Sequence, residues 1–305
     1  MQRQYLSIDI GGTAIKYARI DHSGNIFAKR HLPTPREKTA FITAVETVIK
    51  AAKDQVSAIC ISVPGIVDPA SGKVGFTGAL SFMGSFHLAA HVKKLTGLPV
   101  FVGNDANCAT LAEMWLGNLK GVHNGAVITL GTSVGGGIVV NDQLIHGPHF
   151  QAGELSAMVI NHDAAVLHYS TVGATTSAVK MIEQVARQCD IADRTDGHQV
   201  FNLINQHDER AWSVFVDFCR RVAVLILNMQ TMLDLERVLI GGGISAQPVL
   251  ITEIKHQFAR LQAGDRRLKD DVTMPDIMAA KFGNEANLLG ALYGLLMDSD
   301  TSADK

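Results

Sequence analysis

Asp105 stands in Gly103-Asn104-Asp105-Ala106-Asn107, between a short apolar run and a helical pattern. A carboxylate at a helix start can serve only as a cap, which is common. The same group at the end of a sheet can accept a hydroxyl proton during phosphoryl transfer. Asn104 beside it can donate to and accept from sugar hydroxyls. Taken alone, the motif favours the cap. Two glycine turns reverse that. Asp9-Ile10-Gly11-Gly12-Thr13 sets a carboxylate at a strand end beside glycines that permit positive φ and let backbone N–H groups approach an anion. Thr13 adds a hydroxyl, and Asp9 can hold Mg²⁺ directly or through water, because magnesium favours carboxylate and phosphate oxygens. The bland reading is a plain hairpin turn.

Leu130-Gly131-Thr132-Ser133-Val134-Gly135-Gly136-Gly137 is a second such turn, or else a glycine-kinked sheet edge. Two phosphate-cradling turns can grip one polyphosphate, and the pairing favours that reading. Val238-Leu239-Ile240-Gly241-Gly242-Gly243-Ile244-Ser245 ends a third strand and can pass close to an adenine or ribose face, or can be a helix-entry turn capped by Ser245. None of the three is a GxxxxGK[ST] loop.

The elements that must position these residues alternate between strand and helix. Strand patterns precede each glycine turn and recur at Ala58–Val63 and Val100–Val102. Helical spacing runs over Ala40–Ala52, His87–Leu95, Ala106–Leu116, Ser177–Gln188, Ala211–Leu233, Pro248–Leu261 and Glu285–Met297. This alternation implies an α/β fold. Strand, small-residue turn and strand occur twice, at Gly11 and again at Gly131, which implies two related halves with a cleft between them. The boundary falls within Ala106–Gly125, giving lobes at 1–117 and 118–284.

The 305 residues suit two lobes, and 47% hydrophobic with 18% charged residues is globular composition. With 27 basic and 29 acidic residues the net charge is -2, so no nucleic-acid partner is announced. Apolar stretches stop well short of a membrane span. Met1–Tyr5 leads straight into a strand pattern, leaving no signal peptide, and the four scattered cysteines (Cys60, Cys108, Cys189, Cys219) suit a reducing compartment. A cytoplasmic protein is expected.

The ordered motifs resemble those of the ROK family (repressor, open reading frame, kinase), a branch of the actin–hexokinase–Hsp70, ribonuclease-H-like ATPase fold. The matching segments are Asp9–Thr13 with Lys16, Val63-Pro64-Gly65 with Val67-Asp68-Pro69 and Gly72, and Asn104–Asn107 with Ala112-Glu113. They continue through Gly131-Thr132, Gly135–Ile138, Ala152-Gly153-Glu154-Leu155, Ile240–Ser245 and Leu289-Gly290-Ala291. The resemblance implies ATP with Mg²⁺, and a sugar phosphorylated on a hydroxyl, usually O6, with Asp105 as base. It assigns phosphate or nucleotide contacts to Asp9, Gly11, Gly12, Thr13, Lys16, Gly131, Thr132, Ser133, Gly241, Gly242 and Gly243. Gly65, Asn104, Asp105 and Glu154 fall on sugar positions. It further implies a homodimer and a C-terminal helix, 285–305, that returns to the first lobe.

Three departures bear on substrate and metal. The family's zinc motif has a histidine after Gly-Glu and a Cys-x-Cys-Gly-x-x-Gly-Cys run. Here Ala157 replaces the histidine, and no cysteine lies between Cys108 and Cys189. No structural zinc is expected, and the chain resembles the zinc-free branch with kinases acting on β-glucosides. His146, His149, His162 and His168 crowd the same region, but their spacing matches no zinc pattern and suits exposed or hydrogen-bonded histidines. A family glutamate facing the sugar's anomeric end aligns with Ala174. Together with Ala157 this opens room for a substituent on O1, so a β-glucoside such as cellobiose is expected, with a free hexose as alternative if His149 or Thr175 fills the gap. The usual Gly-Thr-Gly is Gly131-Thr132-Ser133, where a positive φ would strain serine. The rival reading is a sugar-binding regulatory protein with weak or no kinase activity. Family repressors carry an N-terminal helix-turn-helix domain, for which the residues before the first strand leave no room.

Overall fold

The computed structural model describes residues 3–160 and 171–303. In chain order the elements are β1 (Gln4–Ile10), β2 (Ala14–Asp21), β3 (Ile26–Pro33), α1 (Lys38–Ala52), β4 (Ile59–Val63), β5 (Ile66–Asp68), β6 (Lys73–Gly75), β7 (Ser85–His87), α2 (Leu88–Thr96), β8 (Val100–Asn104) and α3 (Asp105–Leu116). They continue with β9 (Gly125–Leu130), β10 (Val134–Val140), β11 (Gln143–Leu144), α4 (Val172–Thr175), α5 (Ala178–Gln188), α6 (Gly197–Asn205), α7 (Glu209–Leu233), β12 (Arg237–Gly241), α8 (Pro248–Gly264), α9 (Arg266–Asp271), β13 (Asp276–Ala279) and α10 (Ala286–Ala303). They form two compact units. Residues 1–120, 146–152 and 284–305 make the first, and 121–145 with 153–283 make the second. The segment 146–152 groups with the first unit although its chain neighbours on both sides belong to the second.

The first unit is built on a five-stranded sheet of order β3-β2-β1-β4-β8. β1, β2 and β3 are antiparallel neighbours, whereas β1, β4 and β8 run parallel. Alternation along β1 gives the sheet two unlike faces. Leu6, Ile8 and Ile10 join Ile59, Ile61 and Val63 in a core closed by Phe41 and Ile49 of α1 and Val92 of α2. Fully burying each such side chain stabilises by roughly 1.5–3 kcal/mol. Ser7 and Asp9 point the other way, toward α10, which packs on β1, β4, β8 and α3. Glycine permits that approach: a Cβ on Gly290 would lie 1.6 Å from the carbonyl oxygen of Cys108.

The second unit repeats the pattern. Its sheet has the order β11-β10-β9-β12-β13, with β10 antiparallel to β9 and with β9, β12 and β13 parallel. The long helix α7 and helices α5 and α8 close its core around Phe215, Ile226 and Phe258. Each unit is therefore α/β, as the alternating patterns imply.

Several elements escape the sequence reading. The sheet β5-β6-β7 has three-residue strands, too short to show alternation. β13 is a four-residue parallel edge strand on β12. α6 did leave a signal: Asp196 caps it by accepting from Gln199 N–H at 2.9 Å, ahead of buried Val200, Phe201 and Ile204. Among the described residues no helix is long and apolar enough to cross a membrane.

Candidate active site

In the first unit, Asp9, Val63 and Asn104 end or nearly end three adjacent parallel strands, with Asp9 beside Ser62 and Val63 beside Asn104 in register. Carboxyl ends of parallel strands are where open α/β sheets place their ligands. Asp9 is 6% exposed. Asn287 Nδ2 donates to its Oδ1 at 2.9 Å, and Lys16 Nζ lies 3.8 Å from Oδ2. Burial pushes the Asp9 carboxyl above its ordinary value, against the opposing pull of Asn287 and Lys16. Ser62 Oγ is buried beside it and adds to that downward pull.

The turn after β1 is braced by its carbonyls. Thr34 Oγ1 donates to Gly11 O at 2.7 Å and Thr34 N to Thr13 O at 3.0 Å, while Gly11 N donates to Ala14 O at 3.0 Å. No described residue accepts the N–H of Gly12 or Thr13. These donors can meet an anion. The reason for glycine differs from the expected one: neither Gly11 nor Gly12 has positive φ. Instead a Cβ on Gly12 would come within 2.8 Å of Ala79 Cβ.

At the end of β8 the cap is Asn104, not Asp105. Asn104 Oδ1 accepts Asn107 N–H at 3.1 Å and its Nδ2 donates to Gly65 O at 3.0 Å, so the side chain ties the helix start to the Pro64-Gly65 turn. Gly65 has φ +116°, and a Cβ there would lie 2.4 Å from Gly75 O. With Asn104 capping, Asp105 becomes the first helical residue, half-buried, with Oδ1 accepting Ala106 N–H at 2.9 Å. Glu113, part of the matching motif, is structural: Asn118 N–H donates to its Oε2 at 2.8 Å at the end of α3.

In the second unit the turn after β9 is braced likewise. Gly131 O accepts from Ala178 N at 3.0 Å and Ser177 Oγ at 3.3 Å at the start of α5. No described residue accepts the N–H of Thr132 or Ser133. Ser133 is not among the positive-φ residues, which corrects the expected strain. Gly242 does need glycine: φ is +96° and a Cβ would lie 2.1 Å from Leu130 O. Gly131 and Gly243 line a cavity of about 360 Å³ with Val179, His198, Ile244 and Gln247.

Ser156 Oγ donates to Glu154 Oε1 in the same unit. The two alanine positions come together there. Val172 N donates to Met158 O at 2.8 Å, Val159 bridges Thr171, and a Cβ on Gly173 would lie 2.9 Å from Ser156 Cβ. So Ala157 and Ala174 sit on adjoining segments. Thr175 Oγ1 donates to Thr171 O at 2.8 Å.

His146 is half-buried, and burial holds it below its ordinary value, while His149 is exposed. His162 and His168 lie outside the described residues. Among the described residues no three His, Cys, Asp or Glu gather as a metal site. A buried carboxylate at a strand end beside unbonded backbone N–H groups fits Mg²⁺ held through one carboxylate and the ligand's phosphates. Sequence reading missed Thr34, Ser177 and Asn287. Only their structural partners identify them.

The ROK family model matches residues 5–297. The chain is 31% identical to a beta-glucoside kinase of Listeria monocytogenes, covering 96% of this chain and 98% of that one. It is 30% identical to a glucokinase of Halalkalibacterium halodurans, covering 99% and 98%. A solved ROK family protein from Streptococcus pneumoniae, in complex with sucrose, superposes with a TM-score of 0.86 at 26% identity, covering 98% and 99%.

Proposed function

Because this chain belongs to the ROK family and is an ATP-dependent carbohydrate kinase, we propose that it phosphorylates O6 of a glucose unit whose anomeric oxygen carries a substituent, with β-glucosides such as cellobiose as substrates. The observation that carries this is the pair of alanines, Ala157 and Ala174, on adjoining segments. A site that hydrogen-bonds a hydroxyl rejects sugars lacking it, because buried polar groups are left unpaired. Two alanines make no such demand and leave volume. Thr175 offers no free donor in place of the lost groups, since its hydroxyl proton goes to Thr171 O. Two comparisons support this reading over that of a free hexose, which the glucokinase relative would favour: one relative is named a beta-glucoside kinase, and the sucrose held by another family member has no free anomeric hydroxyl.

In this reading Asp105 takes the proton as the sugar oxygen attacks the γ-phosphorus and ADP leaves with the electrons of the broken P–O bond. Asn104 and Gly65 fix the helix start that presents Asp105, and Glu154 orients the sugar. The N–H groups of Gly12, Thr13, Thr132 and Ser133 receive phosphate oxygens, with Lys16 as a nearby cation. The cavity at Gly131 and Gly243 receives the nucleoside, and Gly242, which follows Gly241 at the end of β12, packs on Leu130 in its wall. Asp9 holds Mg²⁺, which when bound neutralises phosphate charge.

No structural zinc belongs to this reading, and elemental analysis of untagged protein tests that: stoichiometric zinc would overturn it. A cytoplasmic homodimer follows from the family resemblance alone, and sedimentation velocity tests the dimer. For the substrate, methyl β-D-glucoside is supplied with MgATP, ADP release is followed, and the product is read by ³¹P and ¹³C NMR. Phosphate on C6 is expected. Sugar binding without ADP release would contradict the reading.

A further inference from the structure

The hydrogen bond that fixes Asp9 comes from the far end of the chain. Asn287 lies in the first turn of α10, and its Nδ2 reaches Asp9 Oδ1 at 2.9 Å. α10 is held firmly against the sheet. Ser7 Oγ donates to Leu288 O at 2.7 Å in a buried bond, and side chains at 290 and 294 are excluded by Cys108 and Phe101. The Asn287 amide is therefore carried on a rigid support.

We propose that Asn287 is a positioning residue for phosphoryl transfer: it locks one oxygen of Asp9 and turns the other, beside Lys16, toward the nucleotide's phosphates and metal. This rests on Asp9 having the role given above. The residue type suits the task. A buried carboxylate without a donor is costly, and its rotamer is unconstrained. A lysine or arginine here would supply a donor but also cancel the charge. An amide donates without adding a second positive charge to that of Lys16, so the carboxylate stays available to a metal cation. Residues that orient a metal-binding carboxylate in this way typically affect metal affinity or activity by ~10–100-fold.

The test compares three variants with the wild type. Asn287→Ala removes the donor, and Asn287→Asp keeps the shape but replaces the donor with an acceptor. Ser7→Ala cuts the other tether between β1 and α10 without touching Asp9. Kinetics are read as the Mg²⁺ concentration for half-maximal rate, the KM for ATP and the KM for sugar. Calorimetry reads binding of the non-hydrolysable analogue AMPPNP with and without Mg²⁺. Both Asn287 variants are expected to need ~10–100-fold more Mg²⁺ and to lose the Mg²⁺-dependent part of AMPPNP binding, with sugar KM within twofold of wild type. Ser7→Ala is expected to lower Tm without that shift. If Asn287→Ala leaves the Mg²⁺ requirement unchanged, or if Ser7→Ala reproduces the shift, the positioning role is wrong. Asp9→Asn separates the two failures. If it leaves Mg²⁺ dependence intact, the role of Asp9 itself fails. If it abolishes that dependence while both Asn287 variants stay normal, only the inference fails.

Discussion

The hairpins β1–β2 and β9–β10 have the same construction and carry different chemistry. Each joins antiparallel strands through a short turn that opens on glycine, and each has a parallel strand on its other side. In each, a hydroxyl braces the first turn glycine's carbonyl: Thr34 for Gly11 and Ser177 for Gly131. In each, two turn N–H groups are left without an acceptor among the described residues. The side chains two places before the glycine differ. The first hairpin has Asp9 paired in register with Lys16, and the second has Thr129 paired with Gly135. One copy thus adds a buried charge to the backbone cradle, while the other offers the cradle and an adjoining cavity. The shared construction fixes the scaffold, and in the proposed function single residues on it separate the copy that assists the chemistry from the copy that holds the nucleotide.

The largest effect is expected at Asp105, on α3 beside the first hairpin's sheet. Asp105→Asn is expected to lower kcat by ~10²–10⁴-fold with Tm unchanged, because a general base typically contributes that much. Stopped-flow ADP release checks it, and near-normal turnover would remove Asp105 as the base.

Asp9→Asn is expected to cost activity by ~10–100-fold yet leave the fold as stable or more so at neutral pH. Burial raises this carboxyl above its ordinary 3.8, so the folded chain holds the proton more tightly than the unfolded chain does. That contribution stabilises at low pH and is lost as pH rises through the raised value, so the ionised group costs stability at neutral pH. Asparagine removes the cost and still accepts from Asn287. Calorimetric Tm from neutral pH downward is expected to show the variant's advantage shrinking as the ordinary carboxylate range is reached. An advantage that grows on acidification would contradict this.

In the second hairpin's neighbourhood, Gly242→Ala is expected to destabilise by about 1–3 kcal/mol, because the new Cβ meets Leu130 O at a positive φ. KM for ATP should rise while KM for sugar holds, and a selective rise in sugar KM would reverse the assignment. The smallest effect is expected at Ser133→Gly. Ser133 has an ordinary backbone conformation, so restoring the family's glycine should change stability by less than about 0.5 kcal/mol.

Much of this was legible in the sequence for physical reasons. Alternation before Gly11 and Gly131 marked both hairpins, and Asp105 beside an apolar run marked a helix start at a sheet end. Fine detail was not legible there. Glycine at 12 answers to a neighbouring side chain, Ala79, rather than to its own φ. Asn104 took the capping role open to Asp105, because a side chain can bridge to Gly65 O only once β4 and β8 are aligned. Asn287 meets Asp9 across nearly the whole chain, and no local pattern encodes that contact. The grouping of 146–152 with the first unit is equally non-local.

The proposed substrate is a sugar whose anomeric oxygen carries a group. Competition between cellobiose and glucose at equal concentration, with limiting MgATP and both phosphorylated products quantified by ³¹P NMR, tests it most directly. Cellobiose is expected to be consumed first, with phosphate on a C6 oxygen and none on the anomeric oxygen. Glucose, or another free monosaccharide, being used far better than every β-glucoside tried would contradict it.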